Sequence, residues 1–303
     1  MGNDRRIGGH LLHSEEFGSA AKPSVLSLHG GPGMGAYHFE TFQAPRLEGG
    51  LHLVTMDQRG VLRSAPLPDG EPLGVMDLVA DAEALRHALG IERWSLIGHS
   101  FGGYLAVRYA LTHPAAVDRL VLENASLDPA SSARSLLTAA ALAYAAADDR
   151  ASARSCLASA DAPADTPPAY LWDELTRWLA GLGVRRDDLY IHGERRRIVD
   201  EVSEAAPFPA DWWRRGGVHQ ARLIQEGEIF RPLIGHLGGL LHRTLLIKGR
   251  YDNVFAADQI AGFLAAKPDS ELHVYEASGH FAHMEESGRF AEEVLAFLAA
   301  PSP

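Results

Sequence analysis

Apolar residues occur along this chain in short, nearly continuous runs. Six of these runs lie at residues 25–28, 51–56, 94–97, 120–122, 245–247 and 272–275. A run without polar alternation is typical of a strand that is buried on both faces of a sheet. The runs therefore predict the strands of a sheet that is covered on both sides.

Helical patterns separate most of these runs, at residues 77–89, 101–111, 259–266 and 290–298. In the first of them Leu78, Ala82, Leu85 and Leu89 fall on one stripe, as on an amphipathic helix. Strands that alternate with helices predict an α/β fold with a mostly parallel sheet and helices on both faces.

The alternation stops between residue 128 and about residue 240. Residues 130–160 are rich in alanine, which favours helix. No strand-like run returns before residue 245. We therefore predict a core formed by residues 1–127 and 236–303, with a helical cap, residues 128–235, inserted in it.

Charge and cysteine content exclude several classes of partner and binding site. The 39 acidic and 28 basic residues give a net charge of −11, which disfavours nucleic acid and anionic membranes as partners. Cys156 is the only cysteine, so neither an intrachain disulfide nor a two-cysteine metal site can form. The first residues contain no apolar run, so we expect no secretory signal and a cytoplasmic protein.

A candidate nucleophile lies in residues 98–102, which match the pattern G-x-S-x-G. The pattern directly follows a predicted strand and precedes a predicted helix, which is the context that gives it meaning. Ser100 would project from a tight turn, and the backbone N–H of Phe101 would face developing negative charge at the helix N-terminus. The alternative is a plain glycine-rich turn.

A glycine-rich loop, residues 29–33, follows the first apolar run. The backbone N–H of Gly30 or Gly31 could complete an oxyanion hole with that of Phe101. A phosphate-binding loop would require the lysine of G-x-x-x-x-G-K, which is absent here. A structural glycine turn stays open.

The acid and the base of a triad should follow the serine in the order Ser, acid, His. Asp252 comes at the end of one predicted strand and His280 follows the next, so both can reach the same edge of the sheet. His280 would take the serine proton, and Asp252 would orient the imidazole. The weaker alternatives are Asp258 and Asp269 for the acid, and His236, His242, His273 and His283 for the base.

These motifs together resemble the proline iminopeptidase group of α/β-hydrolases. The matching segments are His-Gly-Gly-Pro-Gly at 29–33, Asp-Gln-Arg-Gly at 57–60, Gly-His-Ser-Phe-Gly-Gly at 98–103, Gly-Arg-Tyr-Asp at 249–252 and Gly-His at 279–280. The resemblance implies an eight-stranded sheet, a helical cap over the cleft, and release of an N-terminal residue, often proline, from short peptides. We expect Asp57 and Arg59 to brace the loops near the oxyanion glycines.

The resemblance is weaker where the group binds the substrate amine. One branch of the group has an acidic residue after the catalytic aspartate, where this chain has Asn253. Another has a cap glutamate, where this chain has Ile224. Glu226 and Glu228 could take over amine binding or be exposed charges. Trp212 and Trp213 could line the pocket or pack the cap on the core.

We therefore predict a serine hydrolase with a Ser-His-Asp triad and an acyl-enzyme intermediate, acting as an aminopeptidase on a small molecule or short peptide. The alternatives are an esterase or thioesterase, a biosynthetic hydrolase or cyclase, and a non-catalytic binding protein. No dinucleotide motif, P-loop or metal-ligand spacing is present, so we expect no cofactor and no metal. The sequence leaves the oligomeric state open.

Overall fold

One eight-stranded sheet runs through the computed structural model, which describes residues 3–195 and 197–299. Its strands are β1 (Asn3–Ile7), β2 (His10–Phe17), β3 (Ser24–Leu28), β4 (His52–Met56), β5 (Trp94–His99), β6 (Val117–Glu123), β7 (Arg243–Gly249) and β8 (Glu271–Tyr275). Their order across the sheet is β1-β2-β4-β3-β5-β6-β7-β8. The pairs β1–β2 and β2–β4 are antiparallel, whereas every later pair is parallel.

Helices cover the sheet and form the segment between β6 and β7. The helices of the described residues are α1 (Tyr37–Leu47), α2 (Val75–Ala88), α3 (Phe101–Thr112), α4 (Pro129–Ala146), α5 (Arg150–Ala160), α6 (Pro168–Leu182), α7 (Ile198–Ala205), α8 (Arg215–Glu226), α9 (Ala257–Ala266), α10 (Ala282–Glu285) and α11 (Ser287–Ala299). The predicted α/β class with a mostly parallel sheet is confirmed.

The continuous apolar runs reflect two cores, one on each face of the sheet. Within β3, Val25 packs into the cluster that contains α1 and α11, while Leu26 packs into the cluster that contains α2 and α3. Leu53 and Val54 of β4 divide in the same way. Successive side chains of a strand point to opposite faces, so both must be apolar when both faces are covered.

The apolar runs did not predict β1 and β2. These strands form an antiparallel edge, and β2 alternates between buried residues such as Leu12 and exposed or half-buried polar ones. An edge strand that faces solvent needs no continuous apolar run, so its composition resembles that of a polar loop.

Between β6 and β7 the described residues form helices and short 3-10 turns. The side chain of Asp128 caps α4 by accepting hydrogen bonds from the backbone N–H groups of Ala130 and Ser131. Leu137, Leu171 and Leu175 belong to an apolar cluster built mainly from this segment. No helix in the described part of the chain is long and apolar enough to cross a membrane. The exact division into core and cap stays a prediction.

Candidate active site

Ser100 lies between β5 and α3, in a backbone conformation that is rare for a residue with a side chain. Its φ is 55° and its ψ is −119°. A Cβ atom at Gly102 would overlap the backbone oxygen of Leu28, and one at Gly98 would collide with the backbone of Gly102. Gly102 is therefore required because the turn packs directly on the end of β3, and Gly98 because the start of α3 packs on the end of β5.

The glycine-rich loop after β3 lies against this turn. A Cβ atom at Gly30 would approach both the Cβ of Ser100 and the ring of His99 to 2.9 Å. Phe101 is the first residue of α3, so its N–H has no acceptor within the helix. The loop and the helix start thus bring the backbone of Gly30 and Phe101 to the serine, as an oxyanion hole requires.

His29 fixes the glycine loop through both of its ring nitrogens. Its Nδ1 donates to the backbone oxygen of Gly30 at 3.0 Å, and its Nε2 accepts from the N–H of Gln58 at 3.2 Å. Burial lowers the pKa of His29, which favours the neutral imidazole that this pattern needs.

Asp57 and Gln58 hold the loop after β4 to the segment that follows β3, whereas Arg59 holds the same loop to α2. The Oδ1 of Asp57 accepts from the N–H of Ala36 at 2.7 Å. The guanidinium of Arg59 instead forms two hydrogen bonds with Asp81 of α2. The bidentate pairing satisfies the buried carboxylate of Asp81 and holds α2 against the loop that follows β4.

Asp252 and His280 form a buried pair at the carboxyl edge of the sheet. The Nδ1 of His280 donates to Oδ1 of Asp252 at 2.7 Å. The two residues are 8% and 4% exposed. With Nδ1 protonated, Nε2 of the neutral ring is free to accept a proton, which is the tautomer a general base requires.

Asp252 stays ionised although it is buried. Its Oδ2 accepts from Nζ of Lys248 at 2.7 Å and from the backbone N–H of Phe255 at 2.8 Å, and its Oδ1 accepts from that of Val254. Burial by itself would raise the pKa of Asp252, but the charges and hydrogen bonds of His280 and Lys248 outweigh burial and lower it to about 2.

The His280 ring lies next to the serine turn. Its centroid is 4.7 Å from that of His99, the residue that precedes Ser100. The ends of β5 and β8 are separated in the sheet by β6 and β7, yet both loops meet above the same edge. The structure therefore brings the turn of Ser100, the glycine loop and the Asp252–His280 pair together.

A second buried histidine–carboxylate pair lies beneath the first. Nδ1 of His283 donates to Glu123 at 2.8 Å, and the backbone N–H of His283 donates to the same carboxylate. His283 was an alternative base in the sequence, but its ring is committed to Glu123 and is 2% exposed. His99, Glu123 and His283 also form a cluster with metal-ligand atoms within 4.8 Å of one another, in the part of the chain that the structure describes.

Sequence reasoning missed Glu285, which accepts backbone N–H groups on both sides of His280. Gly279 and Phe281 donate to its carboxylate at 3.0 and 3.1 Å, and so does His192 from the helical segment at 2.7 Å. Burial raises the pKa of Glu285, against the effect of these donors. No sequence signal separated this residue from the neighbouring glutamates.

The structure gives both predicted amine-binding glutamates partners within the protein. The carboxylate of Glu228 forms an ion pair with Arg108, which lies eight residues beyond Ser100 on α3, or about 12 Å along the helix axis. The carboxylate of Glu226 accepts from the backbone N–H of Glu228 at 3.0 Å. Arg108 neutralises Glu228, so the geometry argues against a free charge for a substrate ammonium at this residue.

Trp212 and Trp213 pack above the start of α1. The Trp213 ring lies 5.2 Å from that of His38, and the Trp212 ring stacks on Phe208 at 6.1 Å. The guanidinium of Arg215 covers the Trp212 ring at 4.6 Å. The contact of Trp213 with His38 joins the helical segment to the core, as one of the two interpretations of the tryptophans expects, whereas the contacts of Trp212 lie within the segment.

Comparison with known proteins agrees with this fold. Residues 23–155 match a family described as the alpha/beta hydrolase fold. Over 116 residues, or 38% of this chain, the sequence is 43% identical to the proline iminopeptidase of Xylella fastidiosa. Over 120 residues it is 40% identical to the proline iminopeptidase of Neisseria meningitidis. The chain matches only 36% of the length of each of these two relatives.

The likeness in structure extends over the whole chain. The solved structure of the proline iminopeptidase-related protein of Thermus thermophilus superimposes on this chain with a TM-score of 0.76. The match covers 99% of this chain and 97% of that protein, and the two sequences are 23% identical. The chain therefore has the α/β-hydrolase fold, and residues 23–155 match the sequence family described by that fold. Over the matched stretch the sequence is similar to proline iminopeptidases, which confirms the resemblance seen in the motifs.

Proposed function

We propose that this protein is a serine hydrolase in which Ser100 is the nucleophile, His280 the general base and Asp252 the residue that orients the base. The observation that carries the proposal is the 2.7 Å hydrogen bond between His280 and Asp252, formed beside the strained turn of Ser100. A serine hydroxyl is a weak nucleophile on its own and needs such a base.

In the proposed reaction Nε2 of His280 takes the proton of Ser100 while the serine oxygen attacks the acyl carbon. The oxygen of the tetrahedral intermediate is stabilised by the N–H of Phe101 together with that of Gly30 or Gly31. His280 then gives its proton to the leaving group, and an acyl-enzyme remains. Water attacks this ester with His280 again as the base, and Ser100 regains its proton.

We further propose that residues 128–235 form a cap that selects the substrate, and that the substrate is a small aminoacyl compound or short peptide with a free N-terminal amine. The motifs and the curated proline iminopeptidases support this choice. Glu226 is the remaining candidate among the two predicted glutamates, since Arg108 neutralises Glu228.

An esterase or thioesterase acting on an uncharged acyl group is the second candidate, and a biosynthetic hydrolase or cyclase would use the same chemistry. One observation favours it. The amide of Asn253 donates to the backbone oxygen of Leu189 at 2.7 Å, so this side chain fastens the helical segment instead of presenting a charge to an amine. An ammonium without a carboxylate partner would carry a large desolvation cost.

Covalent labelling tests the nucleophile. A fluorophosphonate should label the wild-type protein once, at Ser100, and Ser100→Ala should abolish both labelling and turnover. Ser159→Ala is a matched control, because Ser159 is also buried but lies on α5 of the helical segment. Wild-type turnover by Ser100→Ala would contradict the proposal, and a protein without labelling or turnover would support a non-catalytic role.

A turnover panel tests the substrate. We expect prolyl p-nitroanilide to be cleaved at least 10-fold faster than its N-acetylated form if the amine is recognised, since a blocked amine loses its charge. Glu226→Gln should then raise KM for the free amine only. Equal turnover of both compounds, with fast hydrolysis of p-nitrophenyl esters, would reject the aminopeptidase and favour the esterase.

A further inference from the structure

Asn124 occupies a special position at the carboxyl end of β6. It is completely buried, and its φ of 45° lies in the left-handed region, which asparagine and glycine tolerate better than other residues. Its backbone N–H donates to the oxygen of Ile247 at 2.9 Å, which continues the pairing with β7. The side chain is thereby fixed at the edge where the candidate catalytic loops leave the sheet.

The amide of Asn124 joins two of these loops. Its Oδ1 accepts from the N–H of Gly249, the last residue of β7, at 2.9 Å. Its Nδ2 donates to the backbone oxygens of Gly279 at 3.1 Å and His280 at 2.9 Å. The first bond holds the chain three residues before Asp252, and the other two hold the main chain of His280 itself.

Asparagine suits this task for a chemical reason. One planar amide supplies an acceptor on one side and two donors on the other. Aspartate has nearly the same shape but no donor, so its charge would face two carbonyl oxygens. Glycine keeps the left-handed backbone without strain but lacks the amide.

The main chain of His280 has two further anchors. Nε2 of His99 donates to the same His280 oxygen at 2.9 Å, and the N–H of His280 donates to the backbone oxygen of Tyr190. Asn124 differs from these two anchors in that its side chain also bonds the end of β7, the strand that leads to Asp252. It can therefore set the distance between the acid loop and the base loop.

We propose that Asn124 is a positioning residue for the reaction: it contacts no substrate, but it holds the His280 loop in register with Asp252 and Ser100. The inference rests on the proposed serine-hydrolase function. A base that moves by about 1 Å loses the geometry for proton transfer, which can cost about 100-fold in rate.

Asn124→Gly and Asn124→Asp test the proposal, with p-nitrophenyl acetate hydrolysis and the rate of fluorophosphonate labelling as readouts. Both variants should lower kcat and the labelling rate by about 10- to 100-fold, with KM within about 2-fold of wild type. Gln43→Met is the control. Gln43 is equally buried and also donates to backbone oxygens, those of His283 and Ser287, so its loss should lower stability but not kcat.

A double-mutant cycle separates positioning from general damage. In a His280→Ala background the Asn124→Gly change should cost no further activity, because residues that act through one group are not additive. An equal loss in both backgrounds, or wild-type kcat in both Asn124 variants, would overturn the proposal. Ser100→Ala is measured alongside. If that variant stays active, the serine-hydrolase function itself fails, whatever Asn124 does.

Discussion

Asp252 shows how a single buried charge can be kept ionised. It is enclosed by protein, yet Lys248, two backbone N–H groups and His280 all donate to its oxygens. The cation of Lys248 and the imidazole of His280 compensate for the water that the carboxylate has lost. The charge that pairs with His280 is thus built into the β7–α9 connection itself.

The lowered pKa of Asp252 predicts acid sensitivity. Its pKa falls from 3.8 to about 2 on folding, so the ionised pair stabilises the fold fully above about pH 4, and this share is lost as the pH falls from about 4 through 2. The lowered pKa contributes about 2 kcal/mol to the free energy of unfolding. In urea unfolding, the free energy of unfolding should therefore change less between pH 6 and pH 3 for Asp252→Asn than for wild type.

The same variant predicts a loss of activity. Asparagine at 252 can present its amide N–H to the histidine, which favours the wrong tautomer, and kcat should fall by about 10⁴-fold as in other triads. The measurement is kcat on an activated ester. Near-normal activity in Asp252→Asn, or an unchanged pH dependence of stability, would remove Asp252 from the assigned role.

Among the elements, helix α8 packs directly against the glycine-rich loop. Gly216 lies on Gly33, and a Cβ atom at Gly216 would overlap the Gly33 backbone oxygen. His219, one turn further along, donates from Nδ1 to the backbone oxygen of Arg59 at 2.7 Å, and burial lowers its pKa to about 4. The position of this helix and that of the glycine loop are therefore coupled.

Two neighbouring glycines of α8 give a matched test of this contact. Glycine to alanine in a helix normally stabilises by up to about 1 kcal/mol. Gly217→Ala should follow that rule, because nothing lies within 4 Å of the new Cβ. Gly216→Ala should instead destabilise the protein and lower kcat/KM, since α8 must move away from the loop. Thermal unfolding and ester hydrolysis measure both, and equal behaviour of the two variants would contradict the coupling.

At the scale of the whole molecule, the segment 189–192 connects the helical region to both candidate catalytic loops. The backbone oxygen of Leu189 accepts from Asn253, that of Tyr190 accepts from the N–H of His280, and the N–H of His192 donates to Glu285. The His192 ring also stacks on Tyr251 at 3.5 Å. The acid loop and the base loop are thus fastened by a segment that the sequence assigned to the cap.

Glu285→Gln tests this connection. The glutamine amide offers one acceptor oxygen where the carboxylate has two, and three backbone N–H groups depend on them. We expect faster hydrogen exchange in residues 189–192 and 279–281, with kcat lowered by about 10-fold or more. Glu292→Gln on the exposed face of α11 is the control. Unchanged exchange in both segments would show that Glu285 does not hold them together.

The sequence by itself determined the strands that are buried on both faces and the helices between them. Five of the six apolar runs became β3 to β7, where burial on two faces leaves a local signature in most residues of the strand; the sixth became β8, a largely half-exposed strand at the edge of the sheet. It also determined that Gly98 and Gly102 flank a turn with Ser100 at its centre, since a close backbone approach tolerates no other residue.

Only the tertiary structure decided which distant residues meet. Nothing local distinguishes Glu228, paired with Arg108 of α3, from a glutamate free to bind an amine. Nothing in β6 shows that Asn124 holds a loop 156 residues away. Periodicity records how each element is buried, whereas these contacts depend on how the elements pack, and a hydrogen bond between side chains far apart in the chain leaves no pattern around either one.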